Sequence, residues 1–169
     1  MPVVAYTDAR VKNSLRRLEK LGLKGLLAGL YAPAHAEETQ TSSLDDKLVH
    51  LLAPSDRKPN PQTLLDICSR FGVRASDAVY VGDSIVRDVY MAKQAGVCSA
   101  WAKYGTLYVK TLWPQLVRVT HWSEADVERE KIISEQARGT EPDCVLELFG
   151  DILKYFVFEH PPQAIRPKA

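Results

Sequence analysis

Short apolar runs alternate with stretches of helical period along most of this sequence, the pattern of βα units around a largely parallel sheet. Val3–Tyr6 predicts a short strand. Arg10–Leu21 predicts an amphipathic helix, with Val11, Leu15, Leu18 and marginally Leu21 on one face and Arg16, Arg17, Glu19 and Lys20 outward. Gly22 ends it. Leu26–Tyr31 predicts a second strand, Pro33–Ser43 a polar turn-like stretch, and Leu44–Leu52 a short helix. Pro54–Pro61 predicts a loop, in which Asn60 caps the next helix and Pro61 takes its first position. That helix runs to Phe71, with Gly72 as its stop. Ala78–Val81 predicts a buried strand, Ile85–Ala95 its following helix with Gly96 as a stop, and Cys98–Ala102 a further strand. Leu107–Val117 is mixed and interrupted by Pro114, and Glu124–Ala137 predicts a charged surface helix. Val145–Phe149 and the apolar segment to Phe158 close the domain, giving a core over residues 1–158 and a loose tail over 159–169. No internal repeat is visible.

Length and charge narrow the function classes. A chain of 169 residues is one ordinary domain with a real core. Twenty-two basic and 21 acidic side chains leave a net charge of +1, so nothing points to nucleic acid or to an acidic membrane surface. Cys68, Cys98 and Cys144 are odd in number, widely spaced and set in apolar runs. They read as reduced, mostly buried thiols of a cytoplasmic protein and not as a disulfide framework or a zinc site. His35, His50, His121 and His160 show no metal-ligand spacing. No apolar run approaches a membrane span, and the first residues lack the charged and apolar regions of a signal peptide.

The chemistry concentrates in Ala78-Val79-Tyr80-Val81-Gly82-Asp83-Ser84-Ile85-Val86-Arg87-Asp88. A strand stops at a glycine and at once presents two acids at the start of a helical pattern. Ligands of open α/β sheets lie outside the carboxyl ends of the strands. Paired carboxylates there suit a hard cation such as Mg²⁺, which prefers oxygen ligands and keeps waters for a phosphate to replace. The plain alternative is a cap by Asp83 or Ser84, with Asp88 favouring the positive end of its helix. Lys58 lies in Arg57-Lys58-Pro59-Asn60-Pro61, a rigid loop ahead of a helix, where its charge can meet phosphate oxygens. A solvated surface lysine is the alternative there. Thr7, followed by Asp8 after the first strand, offers a hydroxyl and backbone amides to a phosphoryl group, or else caps the helix at Arg10. Arg87, Trp101, Lys103 and Tyr104 fall near strand ends, where packing suits the aromatics and solvation the charges.

In this order, these residues resemble the haloacid dehalogenase superfamily of phosphohydrolases, in its phosphoglycolate-phosphatase-like branch. Thr7 is similar to the second family motif, Lys58 in Lys-Pro-Asn-Pro to the third, and Gly82-Asp83-Ser84 with Asp88 to the fourth. Asp143–Phe158 resembles the branch's closing strand and helix, so the likeness runs from Val3 to Phe158. The resemblance implies a Rossmann-like core and Mg²⁺ as cofactor, held by Asp83 with Asp88 beside it or behind it. It implies that Lys58 neutralises phosphate and holds the nucleophile, and that Thr7, with Asp8 next to it, binds a phosphoryl oxygen. The implied substrate is a small phosphorylated metabolite, attacked by an aspartate to give an aspartyl-phosphate that water hydrolyses.

The family's nucleophile and general acid form an Asp-x-Asp motif on a first, central strand, and no aspartate of this sequence has another two positions on. Asp45-Asp46 is adjacent instead. The cap domain between the first two motifs has no counterpart either. The expected fold is therefore an α/β core without its central strand or cap, the C-terminal part of a phosphatase: a truncated product, a partial sequence, or half of a split enzyme. A true start at Met1 implies a degenerate protein. The polypeptide alone is expected to be inactive, and self-association or a complementary polypeptide would fill the open edge. The alternatives are a binding module for phosphate compounds or proteins, and an α/β domain whose motifs are only caps and turns.

Overall fold

The computed structural model describes residues 1–33, 47–106 and 124–158. They fall into two compact units, Met1–Arg57 with the segment from Phe156, and Lys58–Tyr155.

The first unit is built on three parallel strands, β1 (Val4–Tyr6), β2 (Gly29–Pro33) and β3 (Val49–Leu52), in the order β1-β2-β3. Ala5 pairs with Leu30, and Tyr31 with His50. All five residues of β2 are buried, as a middle parallel strand requires. Helix α1 (Val11–Lys20) lays Val11, Leu15 and Leu18 against Leu30, Ala32, Leu48 and Val49. Leu21 does not extend that face: it caps the helix and is 69% exposed.

Two predicted elements differ here. Lys24–Leu26 is a tight 3₁₀ turn, so the second strand begins at Gly29 and runs on through Pro33. The segment predicted as the helix Leu44–Leu52 ends in a strand, β3, residues 44–46 lying outside the described residues. Leu44, Leu48, Leu51 and Leu52 have helical spacing, but the open side of β2 takes the backbone bonds of this segment in an extended form. Leu48, Val49 and Leu52 are buried while Leu51 stays 46% exposed. The mixed segment 107–117, most of 33–43 and the tail 159–169 also lie outside the described residues.

The second unit opens on Lys58. Helix α2 (Pro61–Arg70) starts as predicted, with Asn60 Oδ1 accepting from Thr63 N–H at 3.1 Å. Strands β4 (Val79–Gly82), β5 (Cys98–Ala102) and β6 (Cys144–Leu146) form a parallel sheet in that order. The predicted helix after β4 has two parts, a widened turn over Ile85–Val89 and α3 (Tyr90–Gln94). Helix α4 (Glu124–Gln136) buries Ile133, and α5 (Ile152–Tyr155) buries Ile152. The core of this unit includes Leu64, Ile67, Met91, Ala92, Ala100, Ala102 and Leu146.

The fold class is the expected α/β one with parallel sheets. Among the described residues, β1 pairs only with β2 and β4 only with β5. No helix among them is long and apolar enough to cross a membrane.

Candidate active site

Strand alternation puts Tyr80 and Gly82 on one face of β4, and Asp88 comes to lie over that face. The turn after the strand brings it there. Ser84 Oγ accepts from Arg87 N–H at 3.1 Å, while Ser84 C=O takes both Asp88 N–H at 2.8 Å and Val89 N–H at 3.1 Å. The second of these bonds spans five residues and widens the turn, a local feature that recurs at functional positions. The capping role weighed for this segment thus falls to Ser84.

Asp88 is 2% exposed. Its Oδ2 accepts from Ser84 N–H at 3.1 Å, and its Oδ1 accepts from Tyr80 OH at 3.2 Å and Lys58 Nζ at 2.7 Å. A buried carboxylate is tolerable only when paired and hydrogen-bonded, and these three donors meet that demand. Gly82 makes the approach possible: a side chain there would fall on the Cβ, Cγ and Oδ2 of Asp88.

Lys58 has a side chain only 15% exposed. It lies between Arg57 and a cis-linked Pro59, just ahead of the Asn60 cap. Its ammonium is aimed at Asp88 and is not a solvated surface charge.

Asp83 is exposed at the carboxyl end of β4. Its C=O accepts from Trp101 Nε1 at 3.0 Å. The turn after β5 passes closely enough that a Cβ on Gly105 would stand 2.8 Å from Asp83 Cβ. Lys103 pairs with Glu147 at 2.6 Å, and Tyr104 is 36% exposed.

Thr7 and Asp8 belong to the first unit. Thr7 N–H extends the β1–β2 ladder by donating to Tyr31 C=O at 2.9 Å. Its Oγ1 accepts from Ala9 N–H at 3.1 Å, which closes a turn, while Arg10 takes the cap position of α1 without a side-chain bond. Asp8 is half-buried in that turn.

Lys58, Asp83 and Asp88 were expected from the sequence, whereas the parts played by Tyr80 and Gly82 were missed. The signal was available: both lie on one face of the strand that delivers Asp83.

For a divalent cation the donor chemistry fits in its sparest form. Mg²⁺ is commonly held by one or two carboxylates, with waters and substrate phosphate oxygens completing the shell. Asp83 offers an exposed carboxylate, whereas Asp88 already carries three donors. No group of three His, Cys, Asp or Glu side chains that could hold a metal occurs among the described residues.

With this geometry in hand, comparison with known proteins is decisive about ancestry. The family model for haloacid dehalogenase-like hydrolases matches residues 4–96, more than half of the chain. The chain belongs to the haloacid dehalogenase-like hydrolase family. It is 28% identical over 143 residues to a glyceraldehyde 3-phosphate phosphatase of Pyrococcus furiosus, covering 69% of this chain and 59% of that protein. It is 32% identical to a glyceraldehyde 3-phosphate phosphatase of Pyrococcus abyssi, over 61% of this chain and 49% of that one. A phosphoglycolate phosphatase of Xylella fastidiosa is 47% identical over 51 residues, covering 30% of this chain and 22% of the relative. The matched region thus spans only about half of the first two relatives. All three of these similar proteins are phosphatases.

Proposed function

We propose that this protein holds the phosphate-neutralising and Mg²⁺-binding part of a phosphomonoesterase. The observation that carries the reading is the Lys58 Nζ–Asp88 Oδ1 pair, 2.7 Å long, beside the exposed Asp83 in the same strand-end turn. The family relationship and the phosphatase relatives support it. The substrate class is a small phosphorylated metabolite, and the setting cytoplasmic.

In this reading Asp83 holds the metal. Asp88 holds Lys58, whose ammonium is then oriented toward a phosphate without being free to swing into water. Thr7, with Asp8 beside it, donates to a phosphoryl oxygen. When bound, Mg²⁺ would offset charge on the phosphoryl oxygens. The attacking carboxylate has no counterpart among the Asp residues of this sequence, none of which forms Asp-x-Asp. These residues by themselves are therefore assigned no turnover, and the missing part is assigned to an Asp-x-Asp strand outside them, in the same or another polypeptide; self-association would fill an open strand edge but brings no such motif.

The test is Mg²⁺-dependent hydrolysis of an aryl phosphate by the protein alone and with a peptide carrying an Asp-x-Asp strand. Turnover only with the peptide is the expected result. Turnover by the protein alone, abolished in Asp83→Asn, would overturn the inactivity and turn attention to Asp8 as nucleophile. Silence in both, with Mg²⁺-assisted phosphate binding intact, would favour a non-catalytic phosphate- or protein-binding module, the reading that the lack of Asp-x-Asp also supports.

The metal assignment has its own prediction. Asp83→Asn should remove Mg²⁺ binding measured by titration calorimetry. Because Asp83 is exposed, the same change should leave stability within about 0.5 kcal/mol.

A further inference from the structure

Helix α4 reaches both sides of the Lys58–Asp88 pair with two successive residues. Glu130 Oε2 accepts from Arg87 Nε at 3.0 Å and from a terminal nitrogen of the same guanidinium. Arg87 precedes Asp88 in the widened turn, and its own N–H is tied to Ser84 Oγ. Arg129, the neighbour of Glu130, donates through a terminal nitrogen to the backbone carbonyl oxygen of Lys58 at 3.1 Å. The sequence separations are 43 and 71 residues, so neither bond follows from local folding.

The Arg87–Glu130 side chains are 27% and 28% exposed. A guanidinium held at two nitrogens fixes an orientation as well as a distance. The bond from Arg129 is exposed and weaker, but it acts on the backbone of Lys58 itself.

We propose that Glu130 and Arg129 are positioning residues for the Lys58–Asp88 pair, Glu130 holding the turn that carries Asp88 through Arg87, and Arg129 holding the backbone that carries Lys58. Without them the turn and the loop keep their local bonds but lose the helix that registers one against the other. The bonds described go to the Arg87 guanidinium and to the Lys58 backbone carbonyl. The functional meaning of this rests on the reading of Lys58 as the phosphate-facing cation. The geometric claim is tested apart from turnover.

The experiment is residue-resolved acylation of lysines in the full-length protein by an amine-reactive reagent, read by mass spectrometry as the ratio of Lys58 to Lys93 labelling. Lys93 belongs to the same unit but pairs with Asp143, so it reports general loosening. Asp88→Asn is the positive control and should raise Lys58 labelling most. Glu130→Gln should raise the ratio roughly fivefold, the scale of a part-buried ion pair, and Arg87→Glu with Glu130→Arg should bring it back. Arg129→Ala should raise it less, roughly twofold, with Arg129→Lys restoring it.

An unchanged ratio in Glu130→Gln and Arg129→Ala, with the Asp88→Asn control responding, would overturn the proposal. So would a parallel rise at Lys58 and Lys93, which marks mere loosening. If Glu130→Gln does not fold, the Arg129→Ala and Arg129→Lys pair decides: a rise reversed by lysine supports the role, and equal labelling in both overturns it. Failure of phosphatase complementation would leave these ratios unaffected, so the two readings fail separately.

Discussion

Asp88 and Asp143 are gripped by the same three kinds of donor. Asp88 takes the ammonium of Lys58, the hydroxyl of Tyr80 and the N–H of Ser84. Asp143 takes the ammonium of Lys93 at 2.6 Å and both the hydroxyl and the N–H of Ser99 at 2.8 Å. Each sits at a strand end in the same parallel sheet, Asp88 folded back over the carboxyl end of β4 and Asp143 just ahead of β6. What differs is access to water. The side chains of Asp88 and Lys58 are 3% and 15% exposed, against 37% and 41% for Asp143 and Lys93. Donor type alone therefore does not mark a functional pair. Burial converts an ion pair from a screened surface contact into a constraint on where an ammonium can stand.

The comparison is broken or sharpened first by removing each charge. Asp88→Asn should lower the unfolding free energy by about 2–4 kcal/mol, measured by urea titration, because it removes the buried negative charge against a largely buried ammonium. Asp143→Asn should cost about 1 kcal/mol or less near neutral pH, since asparagine still accepts from Ser99 and Lys93 can turn to water. Equal losses in the two variants would break the contrast. A smaller but more local probe is Gly82→Ala, for which no charge changes. Its methyl would land on the near end of the Asp88 side chain, and overpacking of this kind costs about 1–3 kcal/mol. It should raise Lys58 labelling as well, because the carboxylate must move.

The same contrast shows how far the sequence could be read. Asn60 and Pro61 announced the start of α2, and Cys98–Ala102 was legible residue for residue as β5, because caps and β-branched or small apolar runs act locally. Lys58 and Asp88 were each visible as candidates from their neighbours. Their meeting was not, since they stand thirty positions apart. Leu44–Leu52 misled for the opposite reason: its leucines have helical spacing, and a sheet edge elsewhere in the unit took the segment as β3. Arg129 and Glu130 were lost among the charges of a helix expected to face solvent. Nothing in the sequence of that helix distinguishes Arg129 and Glu130, which reach across to another element. Tyr80 and Gly82 were the one missed signal that strand alternation could have supplied.

The finest test of the contrast is the acid dependence of the exposed pair. Burial raises the Asp143 carboxyl, but the Lys93 ammonium and the N–H and hydroxyl of Ser99 outweigh it and hold it at about 2. An unfolded aspartate titrates near about 3.9. A carboxyl depressed in the folded state contributes stability that is present above the unfolded value and lost as pH falls through the folded one. The gap between the parent protein and Asp143→Asn should thus be constant from neutral pH down to about pH 5 and close between about pH 4 and 2. Its height should stay at about 1 kcal/mol or less, because the pair is more than a third exposed and water screens it. Urea midpoints measured across that window check both sign and size. A gap that widened on acidification would mean that Asp143 is protonated in the folded protein. A gap as high as that of Asp88→Asn would mean that burial is not what separates the two pairs.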